Sequence, residues 1–194
     1  WTYATHVEPA DVEGLTGQMG TFRVGPPSDR TALSRHGPVR VAASGTYLEH
    51  ADGTPFFWIA DTAWNGPLQS TDDEWDTYIA ARVRQGFTAV QWVTTQWRAS
   101  PGGDRDGRLA FTGSETIAID PEFFQRLDGK VAALDDAGLL NVPVLLWAIG
   151  SGSDPSINPG YALPEDQAAR LAEYMIARWQ GYASVWMLGG DGDY

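Results

Sequence analysis

A chain of 194 residues with 43% hydrophobic content can bury a core of its own, and its net charge of −12 leaves no cationic stripe that would neutralise phosphates. Only one of the 13 basic residues is a lysine, Lys130, and no run approaches the roughly 20 apolar residues needed to cross a bilayer, so neither nucleic acid nor a membrane is an expected partner. The absence of cysteine excludes disulfides, thiolate metal sites and a cysteine nucleophile, and leaves a soluble protein whose compartment, cytoplasmic or secreted, is open.

Residues 1–25 ("WTYATHVEPADVEGLTGQMGTFRVG") read as one or two strands with turns, without the basic and apolar regions of a signal peptide, and the native start is expected upstream. Residues 26–37 open with "PPSDR" and read as a linker. From residue 38 to 194 the pattern changes. Asp52-Gly53 between two strand-like runs predicts a hairpin whose second arm enters a buried first strand at Phe56 to Ala60. The stretch "STDDEWDTYIAARVRQGF" predicts a helix: Thr71 and Glu74 form a capping box, Trp75, Tyr78, Ile79 and Val83 recur at helical spacing, and Gly86 ends it.

"FTAVQWV" is a second strand, followed by a Gly/Asp/Arg-rich stretch whose length marks it as a loop over a site. Asp120 and Pro121 start a second helix, with Phe124, Leu127, Val131 and Leu134 on one face and Gly138 beyond its end. "NVPVLLWAI" is the third strand, a helix beginning near Pro164 buries Ala168, Leu171, Met175 and Trp179, and "SVWML" is the fourth strand. Near-continuous apolar strands alternating with amphipathic helices imply parallel pairing with right-handed crossovers. No G-x-G-x-x-G or P-loop follows a strand, which disfavours a nucleotide-binding doubly wound sheet. The large loops after the second and third strands suit a (β/α)8 TIM barrel, of which about the first four βα units are present.

In a barrel the carboxyl ends of the strands converge on one mouth. They carry Asp61 and Trp64, Gln91 and Trp92, Trp147, and Asp191 with Asp193. A carboxyl that follows two glycines at a strand end can be desolvated enough to act as a general acid. Each residue also has a plainer role: Asp191 in a turn that bonds its own backbone, Asp61 as a cap, Gln91 as a satisfied interior polar group, most tryptophans as core, and Asp191 with Asp193 as calcium ligands. The three histidines, His6, His36 and His50, precede the first barrel strand, and H-E-x-x-H and G-x-S-x-G are absent. Carboxylate chemistry beside aromatic platforms remains, without metal or cofactor, as glycoside hydrolysis requires.

"GTPFFWIADTAW", "YIAARVRQGFTAVQW", "FFQRLDGKVAALDDAGLLNVPVLLWA" and "ARWQGYASVWMLGGD", in that order, resemble the N-terminal half of the apiosidase-like glycoside hydrolases of family 140, the DUF4038 group. The family's G-D-T-A-W corresponds to Ala60–Trp64 and its W-x-x-G-G-D to Trp186–Asp191. The resemblance implies a two-carboxylate glycosidase acting on a plant or microbial polysaccharide or oligosaccharide. In it Asp191 is the general acid/base, and the nucleophilic glutamate lies outside this chain, in the remaining half of the barrel. Asp61, Trp64, Gln91, Trp92, Trp147 and Asp193 are the expected sugar-binding residues. Residues 1–25 look like the end of a DUF5060-type β-sandwich that often precedes this barrel, and both termini look like cuts through a larger protein. The competing reading is a non-catalytic carbohydrate-binding or structural barrel module.

Overall fold

The computed structural model describes residues 1–8, 15–25, 31–148 and 158–190. Thr2–Ala4 (β1) and Met19–Thr21 (β2) form an antiparallel pair. After a short helix, Ala32–His36 (α1), come Val39–Val41 (β3), Leu48–His50 (β4) and Pro55–Phe56 (β5), an antiparallel three-stranded sheet. The expected hairpin is its β4–β5 corner, where Gly53 takes φ +90.

The first parallel strand is Ala60–Trp64 (β6), four residues later than the sequence suggested. The apolar run is divided: Phe56 ends β5, while Phe57, Trp58 and Ile59 form an exposed connection, Phe57 at 74%. A continuous apolar run does not reveal by itself where one sheet releases the chain to another.

Gly66–Gln69 (α2) and Asp72–Arg84 (α3) follow β6. The Thr71–Glu74 capping box is present in both directions, satisfying two of the first-turn amides that have no intrahelical partner. Ala89–Val93 (β7) leads into the long connection, which is not structureless: it contains a Trp97–Ser100 turn and the hairpin Phe111–Thr112 (β8) with Ala118–Ile119 (β9). Pro121–Asp136 (α4) starts under the Asp120 cap. Leu140–Val144 (β10), Pro159–Ala162 (α5) and Glu165–Trp179 (α6) complete the named elements. The fourth expected strand joins β10 through parallel bridges at Ser184 and Met187.

The parallel strands therefore stand in sequential order, β6-β7-β10 and then residues 184–187. Alternation sorts their side chains. Val90 and Trp92 face the helices: Val90 packs with Trp75, Ile79 and Leu134, and Trp92 with Leu127, Leu171, Met175 and Trp179. Each fully buried Leu or Val on these faces contributes about 1.5–3 kcal/mol. The opposite face buries Ala89, Leu140 and Val142 against Leu33 of α1 at one end, and Val93 and Val144 against Trp97 and Trp147 at the other. The lone lysine is 2% exposed in α4, its Nζ donating to the Thr71 carbonyl at 2.6 Å and facing Asp72 at 2.9 Å, so it ties α4 to the start of α3.

Candidate active site

At the carboxyl end of the sheet, β6 carries a bulge between Thr62 and Trp64. Trp64 has φ +49, a left-handed conformation that a bulky side chain adopts only when its surroundings impose it. The bulge keeps Trp64 on the inner side although its register partner, Trp92, faces the helices. There the Trp64 ring stacks on Trp97, centroids 5.3 Å apart at 24°, and meets Trp147 edge-on at 5.5 Å. Trp97 and Trp147 close the triangle at 4.7 Å.

Trp97 and Trp147 are buried, but Trp64 is 40% exposed and presents ring surface at the carboxyl end of the sheet. The indole N–H groups of Trp97 and Trp147 are buried and find no acceptor among the described residues. An unpaired buried donor costs about 1–3 kcal/mol. The exposed Arg98 guanidinium lies 5.8 Å from the Trp97 ring and 5.6 Å from that of Trp147, a cation–π arrangement at the rim.

The fourth strand meets this cluster. Gly190 lies so close to Trp147 that a Cβ there would stand 2.3 Å from the indole ring. The glycine therefore permits the strand end to rest on the tryptophan. Asp191, the next residue, and Asp193 lie outside the described residues.

The sequence-predicted site residues divide between the two faces of the sheet. Trp64 and Trp147 meet in the cluster. Gln91, half-buried, pairs in register with Thr62 and Val142 on the inner face, beneath the cluster. Trp92 and Asp61 are not brought to this group. The Trp92 indole points among the helices and donates to Asn141 Oδ1 at 2.7 Å. The Asp61 carboxylate turns to α3, where it accepts from Tyr78 Oη at 2.7 Å and from Arg82 Nε. Its register partner is the helix-facing Val90, so strand alternation sends it outward. Burial pushes the Asp61 carboxyl up, but the hydrogen bonds from Arg82 and Tyr78 outweigh it and hold the group below the usual carboxylate range. Burial, reinforced by the Asp61 carboxylate, pushes the Tyr78 hydroxyl up.

Trp97 and Arg98 are the residues that the expected site omits. A tryptophan and an arginine in a Gly/Asp/Arg loop just past a strand end were the available signal, and only the fold of that loop shows where they point. Asp104 organises it: its side chain is 1% exposed, accepts from the Asp106 and Arg108 amides at 3.0 Å each, and pairs with Arg126 Nε at 3.0 Å. Gly103, at φ +86, passes so close to the Arg108 carbonyl that any Cβ would collide with it.

The family model of the apiosidase-like catalytic domain matches residues 42–194. Among solved structures, a glycoside hydrolase family 5 protein from Bacteroides vulgatus ATCC 8482 is 21% identical with a TM-score of 0.67, over 81% of this chain and 33% of that one. A second structure, a glycoside hydrolase, is 23% identical with a TM-score of 0.67, over 81% of this chain and 35% of that one. Both share the mixed α/β fold, and this chain spans about a third of their length. No curated protein matches the chain. With the family model covering most of its length, from just after β3 through all four parallel strands, the chain belongs to the apiosidase-like catalytic domain family.

Proposed function

We propose that the chain forms the first four βα units of a (β/α)8 barrel that hydrolyses a glycosidic bond. The observation that carries this reading is the Trp64–Trp97–Trp147 cluster at the carboxyl end of sequentially ordered parallel strands, with Gly190 against Trp147. An exposed indole face suits the axial C–H face of a sugar ring, and the position directly after Gly190 belongs to Asp191. In this reading Asp191 protonates the leaving oxygen and later activates water. A nucleophilic glutamate from the remaining half of the barrel attacks the sugar, since two carboxylates are needed. Trp64, Gln91, Trp147 and Asp193 shape the sugar subsite, Trp97 backs the stack, and residues 1–25 close a preceding β-sandwich. The substrate is a carbohydrate of plant or microbial origin, and neither metal nor cofactor takes part.

The test is the leaving-group dependence of Asp191→Asn in the intact protein. General acid assistance is worth about 10²- to 10⁴-fold and matters most where the departing oxygen is basic. The kcat/KM for aryl glycosides with poor leaving groups falls by that order, while that for good leaving groups, which reports the same bond-cleavage step, is much less affected. Equal losses on both series refute the assignment.

A further inference from the structure

Beside the aromatic cluster, α2 and the loop over residues 99–107 enclose an open cleft of about 430 Å3, lined by Asn65, Gln69, Ser100, Gly102 and Arg105 among others. It adjoins the cluster along both elements that build it. Asn65 directly follows Trp64, and the Trp97–Ser100 turn has its first residue in the cluster and its last in the cleft.

Two carboxamides here are held in one orientation. Asn65 Nδ2 donates to the Ala99 carbonyl at 3.2 Å and to Ser100 Oγ at 2.9 Å. Gln69 Nε2 donates to Ser100 Oγ at 3.1 Å and to the Gly103 carbonyl at 2.8 Å. A backbone carbonyl can only accept, so these contacts decide which end of each amide is the nitrogen. Both donors of each amide are thus used, and both amide oxygens remain as acceptors that take no hydrogen bond among the described residues.

Charged groups stand at the edges of the cleft rather than between the two amides. The Asp104 carboxylate is turned inward onto Arg126, and Arg105 stands 4.0 Å from Glu74. With their nitrogens engaged, Asn65 and Gln69 of the cleft lining offer a ligand two held, neutral acceptors, which suit hydroxyl donors.

We propose that this cleft is a second sugar subsite, which takes a hydroxyl-rich unit of a glycan whose neighbouring unit lies on the Trp64–Trp97–Trp147 cluster. The inference rests on the glycoside hydrolase reading above and deepens it: the substrate is an oligosaccharide that spans both positions, and hydroxyls of the second unit donate to Asn65 Oδ1 and Gln69 Oε1.

Gly102 provides the test, because a Cβ there meets nothing within 4 Å and its backbone is not left-handed. Gly102 lines the cleft, so Gly102→Trp puts an indole at it with room for the Cβ, and an unchanged melting temperature verifies that the loop is undisturbed. The probes are neutral oligosaccharides of two to four units released from xylan, galactan and arabinan, and the p-nitrophenyl monoglycosides of the same sugars. They are titrated calorimetrically into the full-length protein that carries this chain. Losing two hydrogen bonds and the contacts around them weakens oligosaccharide binding by about tenfold or more, with less than about threefold change for the monoglycosides. Equal losses on both, or no loss on the oligosaccharides, overturn the second subsite while leaving the glycan reading intact. If the unmodified protein binds none of these probes, the glycan reading fails and the subsite fails with it.

Discussion

Asp61 is where the expected and observed roles differ most, and Asp61→Asn separates them. The carboxylate accepts from Tyr78 Oη, Arg82 Nε and the Thr62 amide, and its side chain is 26% exposed against 27% for Arg82. Hydrogen bonds to charged groups contribute about 1.5–3 kcal/mol each when protected, and exposure reduces that. Asparagine keeps the shape and one acceptor but leaves Arg82, stacked 4.7 Å from the Tyr78 ring, without its counter-charge. The expected loss is about 2 kcal/mol. Urea denaturation with the intrinsic tryptophan signal measures it, and calorimetric titration of a bound glycan measures the affinity of the folded fraction, which stays within twofold of the parent. The pH dependence follows from the sign of the shift. A folded-state pKa below the unfolded value of about 3.9 means that this contribution is fully present above that value and fades as pH falls through the folded one. Asp61→Asn and its parent therefore converge in stability in strong acid. If Asp61→Asn leaves stability within about 0.5 kcal/mol and abolishes glycan binding instead, the carboxylate serves the mouth and the placement argued here is wrong.

Two further substitutions probe how the site is held. Gly190→Ala must displace Trp147, because its Cβ would stand 2.3 Å from the buried ring; overpacking of this kind costs about 1–3 kcal/mol, and because the residue precedes Asp191, kcat falls more than the melting temperature alone explains. An unchanged kcat with a normal melt refutes the contact. Asp104→Asn leaves Arg126, 23% exposed, without its buried partner, at a cost of about 2–4 kcal/mol. Limited proteolysis then cuts within residues 97–108 in the variant and not in the parent, and equal resistance of both counts against Asp104 as the organiser of that loop.

Local signals in the chain were sufficient for the helices that bury the sheet. The Thr71–Glu74 capping box, the Asp120 cap before Pro121, and the apolar stripe of Phe124, Leu127, Val131 and Leu134 each act within a few residues, so their consequences are visible without a tertiary context. The Asp52-Gly53 corner is legible for the same reason, since a tight turn is decided by the residues that form it. The parallel pairing also follows from composition, because strands covered on both faces must be apolar throughout.

That same uniformity hides which face a residue occupies, and the site depends on the face. Asp61 and Trp64 lie three positions apart, yet one turns to Arg82 and the other to Trp97, and a bulge with a left-handed backbone at Trp64 accompanies the difference. Trp92 and Trp147 are both strand-end tryptophans in the sequence, and only packing separates the one bonded to Asn141 among the helices from the one beneath Gly190. The cleft formed by Asn65, Gln69 and Ser100 had no sequence signature, because its hydrogen bonds join residues more than 30 positions apart. The chain by itself thus determined the three long helices and the order of the parallel strands between them, which depend on short-range caps, turns and periodicity. Tertiary structure alone decided the convergence of Trp64, Trp97 and Trp147 and the outward turn of Asp61, because register and facing are settled by what each strand packs against.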